Sequence, residues 1–223
     1  MTLAVHLRSA VCLLGRYPAL AGVDLDVGTG EIVLLSGANG AGKTSVLRAV
    51  AGLVALHSGT GEVLGHDLTR DRRAVRRHLS LVGHETFCYD DLTVRENLRF
   101  AARAAGGAAA AADGALERVG LAAKAGVVHG RLSAGQRRRL ALAVALTREP
   151  ELLLLDEPHA GLDAAGRAVV DDVIIAAPGE GRTVVLASHE VDRTRPLAHR
   201  EVVLSAGRAI GGVLEPEPEL APT

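Results

Sequence analysis

The residues best spaced for chemistry are Gly37-Ala38-Asn39-Gly40-Ala41-Gly42-Lys43-Thr44, a G-x-x-x-x-G-K-T pattern. In such a loop the glycines let consecutive backbone N–H groups curl around phosphate oxygens, lysine meets the terminal phosphates and the threonine hydroxyl holds Mg²⁺. Ser45 follows and belongs to the same cradle. Lys43 and Lys124 are the only lysines in a chain whose other basic side chains are arginine, so lysine is used where this chemistry wants it. A second set of acids comes later. Leu152-Leu153-Leu154-Leu155-Asp156-Glu157 is an apolar run ending in two carboxylates. A buried strand would carry both to the carboxyl edge of a sheet, where open α/β folds bind ligands. There Asp156 would hold Mg²⁺, and Glu157 would orient or deprotonate an attacking water.

These groups need a sheet and a helix to aim them. Glu31-Ile32-Val33-Leu34-Leu35-Ser36 supplies the strand before the phosphate loop, and a helix from Lys43 to Ala51 presents its positive N-terminal end to the same anion. Further strands are expected over Leu79–Gly83, Leu152–Asp156, Thr183–Ser188 and Glu201–Leu204, and helices over Gln136–Arg148, ended by Pro150, and Ala164–Ala177. Leu3–Val27 reads as antiparallel strands. From Thr93 to Gly120 the composition turns alanine-rich and helical, with breaks at Gly106-Gly107 and Asp113-Gly114. The fold class is therefore α/β: a mostly parallel core sheet, an N-terminal antiparallel β subdomain and an inserted α-helical subdomain at about 93–148, within one domain over 3–210. The acidic, proline-rich stretch near the end lacks an apolar face, so 211–223 reads as a mobile tail.

Bulk properties narrow the partners. With 223 residues and 48% hydrophobic composition the chain supports one large globular core. A net charge of −1 lacks the positive field that nucleic-acid binding requires, so no nucleic-acid partner is expected. Charged residues interrupt every apolar run short of a bilayer span, and Met1–Ser9 does not resemble a cleavable signal. Cys12 and Cys88 are isolated, as structural thiols in a reduced cytoplasmic setting would be. Arg72, Arg73, Arg76 and Arg77 form a basic helical patch that reads as a solvated face.

Leu132-Ser133-Ala134-Gly135-Gln136 stands before a helix that begins Arg137-Arg138-Arg139, giving a second anion-binding helix start. Lying between a phosphate loop and an Asp-Glu strand, it resembles the LSGGQ signature of the ATP-binding cassette (ABC) family, with Ala134 for one glycine. The resemblance runs from about residue 3 to 210. It implies ATP and Mg²⁺ as ligands and ATP hydrolysis as the reaction. It also implies that two cassettes sandwich ATP, with the phosphate loop of one facing Ser133, Gly135 and Gln136 of the other. On the same likeness His189 is the switch histidine at the γ-phosphate, Asp163 in Gly161-Leu162-Asp163 reaches the partner cassette, and Tyr17 stacks on adenine. The family's Mg²⁺-sensing glutamine is missing: Val82-Gly83-His84-Glu85 offers His84 by direct count, or Glu85 with a one-residue gap. The partners so implied are integral membrane transporter subunits, met through the loop from His84 to Leu98, and a second cassette, as a homodimer. The chain would then sit at the cytoplasmic face of the membrane. Gly83-His84, Leu92-Thr93, Glu96-Asn97-Leu98-Arg99-Phe100 and Asp156-Glu157-Pro158-His159-Ala160-Gly161-Leu162-Asp163 look most like the haem-exporting branch that serves cytochrome c maturation, with His159 a loop histidine beside the nucleotide. Export of a drug or lipid, and a soluble assembly ATPase of the iron–sulfur type, are the alternatives.

Overall fold

The structure is a computed structural model that describes residues 2–83, 85–107 and 111–214. Its central element is a six-stranded sheet in the order β10-β9-β3-β8-β7-β6. The strands are β3 (Ile32–Ser36), β6 (Leu79–Val82), β7 (Leu152–Asp156), β8 (Thr183–Ala187), β9 (Arg200–Ser205) and β10 (Arg208–Ile210). All neighbours pair in parallel except β9 with β10. Strands buried on both faces read as continuous apolar runs, and the leucines of β7 show why. Leu152 and Leu154 join Val33, Leu35 and Val185 in one core, while Leu153 and Leu155 join Ile32, Leu34, Val184 and Leu186 in the other.

A four-stranded antiparallel sheet, β2-β1-β4-β5, covers the first of those cores. It comprises β1 (Leu3–Leu14), β2 (Tyr17–Gly28), β4 (Ser58–Val63) and the short β5 (His66–Asp67). Helix α1 (Lys43–Val50) lies in the same core, burying Val46, Leu47 and Val50 beside Leu7, Leu25 and Leu154. The helix that follows the phosphate loop is thus fixed on its apolar face, which leaves its N-terminus to face the ligand.

Helices cover the second core: α2 (Val94–Ala104), α3 (Ala111–Arg118), α4 (Ala134–Leu146) and α5 (Ala164–Ala176), with the short α6 (Val191–Thr194) after β8. Reciprocal capping boxes start α2 at Thr93 with Glu96 and α4 at Ser133 with Gln136. Asp163 caps α5 by accepting the Gly166 N–H at 2.8 Å. Leu98, Leu116, Leu140 and Leu153 belong to one cluster, so the alanine-rich helices are continuous in packing with the sheet.

Some expectations are corrected. The break at Asp113-Gly114 does not occur, because α3 runs through it with Ala112 and Leu116 buried on its inner face. Helix α4 begins at Ala134, two residues before Gln136, since Ser133 caps it. The arginine patch is only partly solvated: Arg72 and Arg76 donate to the carbonyls of Leu53 (3.3 Å) and Gly52 (2.6 Å), tying the short 3-10 turn Ala74–Arg77 to the end of α1. Of the tail, Gly211–Leu214 is docked. Asp26 N–H donates to Gly212 O at 2.7 Å, and Leu214 N–H donates to Asp26 Oδ2 at 3.2 Å. Residues 215–223 lie outside the described residues.

Candidate active site

The phosphate loop leaves β3 at Ser36 and enters α1 at Lys43. Its shape demands glycine at two points. Gly37 has φ +134° and a Cβ there would meet Leu204 O at 2.2 Å; Gly42, the N-cap of α1, has φ +108° and Ala19 O at 3.0 Å. Lys43 Nζ donates to Gly37 O at 2.7 Å and to Ala38 O at 3.2 Å, folding the ammonium back over the loop where terminal phosphates would be met. Thr44 Oγ1 donates to Asp156 Oδ2 at 2.8 Å, which brings residues 112 positions apart into contact. Both donors are hard oxygens. They suit Mg²⁺, which completes its shell with water and phosphate oxygens, so Thr44 and Asp156 are the residues that would hold it.

A cleft of about 660 Å³ opens at this loop, lined by Asn39, Gly40, Gly42, Lys43, Thr44, Ser45, Asp156 and Glu157. Its other wall is Leu14, Tyr17, Pro18, Ala19, Ala206 and Gly207. Tyr17 opens β2 at the hairpin with β1 and is 81% exposed, so an apolar ring face is available to a flat ligand. Ala206 and Gly207, in the turn between β9 and β10, were not foreseen. They are carried there by the Gly207 N–H donating to Ala41 O at 3.0 Å, a pairing with no trace in local pattern.

Glu157 sits one residue beyond β7 with φ +49°, a left-handed conformation costly for a side chain with a Cβ. Its N–H donates to Ala187 O at 2.9 Å. Its Oε2 lies 2.8 Å from His189 Nδ1 and accepts longer contacts from Ser188 Oγ (3.4 Å) and the His189 N–H (3.3 Å). The carboxylate and the histidine are therefore a unit at the ends of β7 and β8. Behind them Arg138, only 9% exposed, donates to Gly83 O (2.8 Å), to Asp156 O (2.5 Å) and to Glu157 O. Burial pushes the Arg138 guanidinium below its ordinary range, against the opposing pull of Asp156 and Glu157.

The remaining candidates fall elsewhere. Ser133 and Gln136 are engaged in the α4 capping box, and Gly135 stands against Gly161 and Leu162, so the signature segment abuts the loop bearing Asp163 rather than lining the cleft. Glu85 is exposed and lines a smaller cavity of about 260 Å³ with Thr44, Gly83 and Asp156. His84 lies outside the described residues. His159 is a loop histidine, in the turn between β7 and α5, but it does not line the cleft: it is 1% exposed and pairs through Nε2 with Asp171 Oδ1 of α5 at 2.7 Å. Burial depresses its pKa despite the carboxylate. Cys12 is fully buried and Cys88 half-buried, both thiols pushed up by burial.

Residues 20–160 match the ABC transporter family. The chain belongs to that family. Relatives agree: the chain is 43% identical to a cytochrome c biogenesis ATP-binding export protein of Bordetella bronchiseptica, over 83% of this chain and 84% of that one. It is 41% identical to a daunorubicin resistance ATP-binding protein of Streptomyces coeruleorubidus, over 88% of this chain, which spans 63% of that relative's length. The human phospholipid-transporting ATPase ABCA7 is 37% identical over 86% of this chain and 9% of its own length. Among solved structures, the ATP-binding subunit of an ABC transporter superimposes with TM-score 0.84 at 25% identity, over 93% of this chain and 88% of that chain. An ATP-binding cassette solved as a dimer with ADP and Pi gives the same fold, TM-score 0.84 at 24% identity, over 92% of this chain and 96% of its own. This ABC cassette is an ATPase domain with the family's α/β fold.

Proposed function

We propose that this ABC cassette is the ATP-hydrolysing subunit of a membrane transporter and acts as a pair, on the cytoplasmic face of the membrane. The observation that carries the pairing is that Ser133, Gly135 and Gln136, an intact second anion site, stand outside the cleft built by the phosphate loop. Two copies facing each other would give every phosphate group both sites, with Asp163 at the contact.

In that arrangement Tyr17 stacks on the adenine, and the N–H groups of residues 37–45 with Lys43 hold the phosphates. Mg²⁺ held by Thr44 and Asp156 would neutralise the charge building on the phosphates. Glu157 takes the proton of the attacking water, a role worth about 10²–10⁴-fold. His189, 2.8 Å from that carboxylate, aims it and turns to the γ-phosphate when ATP arrives. ATP supplies the bridging charge between copies, hydrolysis removes it and the pair opens. A membrane subunit seated near residues 84–98 would convert that opening into transport. Among the described residues no helix is long and apolar enough to cross a membrane.

For the cargo we carry haem export in cytochrome c maturation, supported by the likeness to the Bordetella protein over 84% of its length. Drug resistance and phospholipid transport stand in the names of other relatives, and catalytic residues do not separate them. The test is mass spectrometry of what co-purifies with the tagged Glu157→Gln chain from mildly solubilised membranes with ATP. Multi-span and haem-handling proteins support the reading. An unrelated permease removes haem, and recovery with soluble proteins alone removes transport.

A further inference from the structure

Three segments that must move together in an ATP cycle end within reach of one side chain. They are Gly83, where the altered Val82-Gly83-His84-Glu85 loop leaves β6; Asp156 and Glu157, at the end of β7; and α4, whose N-terminus is the Ser133–Gln136 anion site. Arg138 lies on the first turns of α4 and donates to a carbonyl in each of the other two segments: Nη1 to Gly83 O at 2.8 Å, Nη2 to Asp156 O at 2.5 Å and to Glu157 O. Its Nε is buried without a partner among the described residues, so the side chain has been drawn into a nearly dry site for what its fork holds. A buried guanidinium is costly unless paired. Among the described residues its hydrogen-bond partners are all main-chain oxygens, and a carbonyl fixed by a charged donor is held more firmly than by a neutral one.

What the fork holds is a non-glycine residue in a left-handed backbone conformation, a strain that Ala206 shares at the cleft. Glu157 has φ +49°, and among the described residues its N–H donates to Ala187 O while its C=O accepts from Arg138 and, at 3.2 Å, from the Ala160 N–H. We propose that Arg138 is a positioning residue for hydrolysis: it keeps Glu157 in its left-handed conformation, aimed at the attacking water, and ties that aim to the signature helix and to the start of the 83–85 loop. This rests on the reading of Glu157 as general base. A shift of Glu157 by about 1 Å is enough to cost about 10²-fold in rate. Lysine cannot replace the fork, since its single ammonium lacks the planar pair of nitrogens that reaches two strand ends at once.

The test is a double-mutant cycle on the full chain, with ATP affinity by nucleotide titration and turnover measured for wild type, Arg138→Gln, Arg138→Lys, Glu157→Gln and the double variant Arg138→Gln/Glu157→Gln. Arg138→Gln should lower kcat by about 10–100-fold while ATP affinity stays within about 3-fold, a difference under 1 kcal/mol. Arg138→Lys should recover only part of the rate. The double variant should be no slower than Glu157→Gln, because a residue acting through Glu157 has nothing left to position. Multiplying losses in the double variant, or full activity in Arg138→Gln, would overturn the inference. Should Arg138→Gln not fold, the same comparison is made with Arg138→Lys, where a wild-type kcat overturns it. Full activity in Glu157→Gln alone overturns the general-base reading instead, so the two failures are told apart.

Discussion

In the proposed mechanism Glu157 and Lys43 divide the work of this site between chemistry and binding, and single substitutions should separate them. Glu157→Gln keeps the volume and removes the base. Turnover should fall at least about 10²-fold with ATP affinity retained, as steady-state assay and titration on one preparation would show. Undiminished turnover would contradict the role. Lys43→Ala removes an ammonium already poised over Gly37 O and Ala38 O, and should weaken ATP binding by about 10–100-fold. A third residue acts through stability. His159 is buried against Asp171, with Arg193 and Glu190 nearby, and its folded pKa lies below the ordinary 6.5. The folded state therefore binds fewer protons than the unfolded one, so stability is full above pH 6.5 and lost as pH falls below it. His159→Gln should flatten the fall in urea-unfolding stability between pH 7 and 5; an unchanged slope would contradict this. The phosphate loop and the Asp156-Glu157 pair were legible because each is contiguous in sequence and its chemistry is local. Arg138 was not. Its three partners lie 55, 18 and 19 residues away, and in sequence it is the middle one of three arginines at a helix start.

At the scale of elements, the buried parallel strands were legible, whereas β4, β5 and β10 were not foreseen. In β3, β7 and β8 burial on both faces leaves an apolar run that no amphipathic helix would show. The helical region was read as helical but punctuated wrongly at Asp113-Gly114. A glycine in a helix costs only about 1 kcal/mol, which the burial of Ala112 and Leu116 offsets. The hairpin that brings Tyr17 to the cleft falls within the antiparallel strands expected over Leu3–Val27, whereas the turn that brings Ala206 and Gly207 there depends on a bond to the distant phosphate loop and leaves no periodic mark. The loop geometry itself makes a graded prediction. Gly40→Ala adds a Cβ with open space around it and bears only the cost of φ +80°, about 1 kcal/mol. Gly37→Ala also drives a Cβ into Leu204 O at 2.2 Å and should lose clearly more, about 3 kcal/mol or above. Equal unfolding midpoints would show that the loop relaxes freely.

In the proposed function the molecule has two anion sites that one chain does not bring to one cleft, and a second copy does. The signature segment packs on Gly161 and Leu162 of its own chain, so Ser133–Gln136 and Asp163 move as one block that a partner copy would meet. Mixing defective chains tests this directly. A chain carrying Lys43→Ala has a dead phosphate loop and an intact signature; a chain carrying Ser133→Arg has the reverse, its bulk and charge blocking the helix start. Each alone should be inactive. Equimolar mixture should restore turnover to about a quarter of wild type, since half of randomly formed pairs are mixed and each mixed pair rebuilds one of two composite sites from intact halves. No activity above that of the separate variants would contradict the shared site, and so would a Ser133→Arg chain that is fully active by itself.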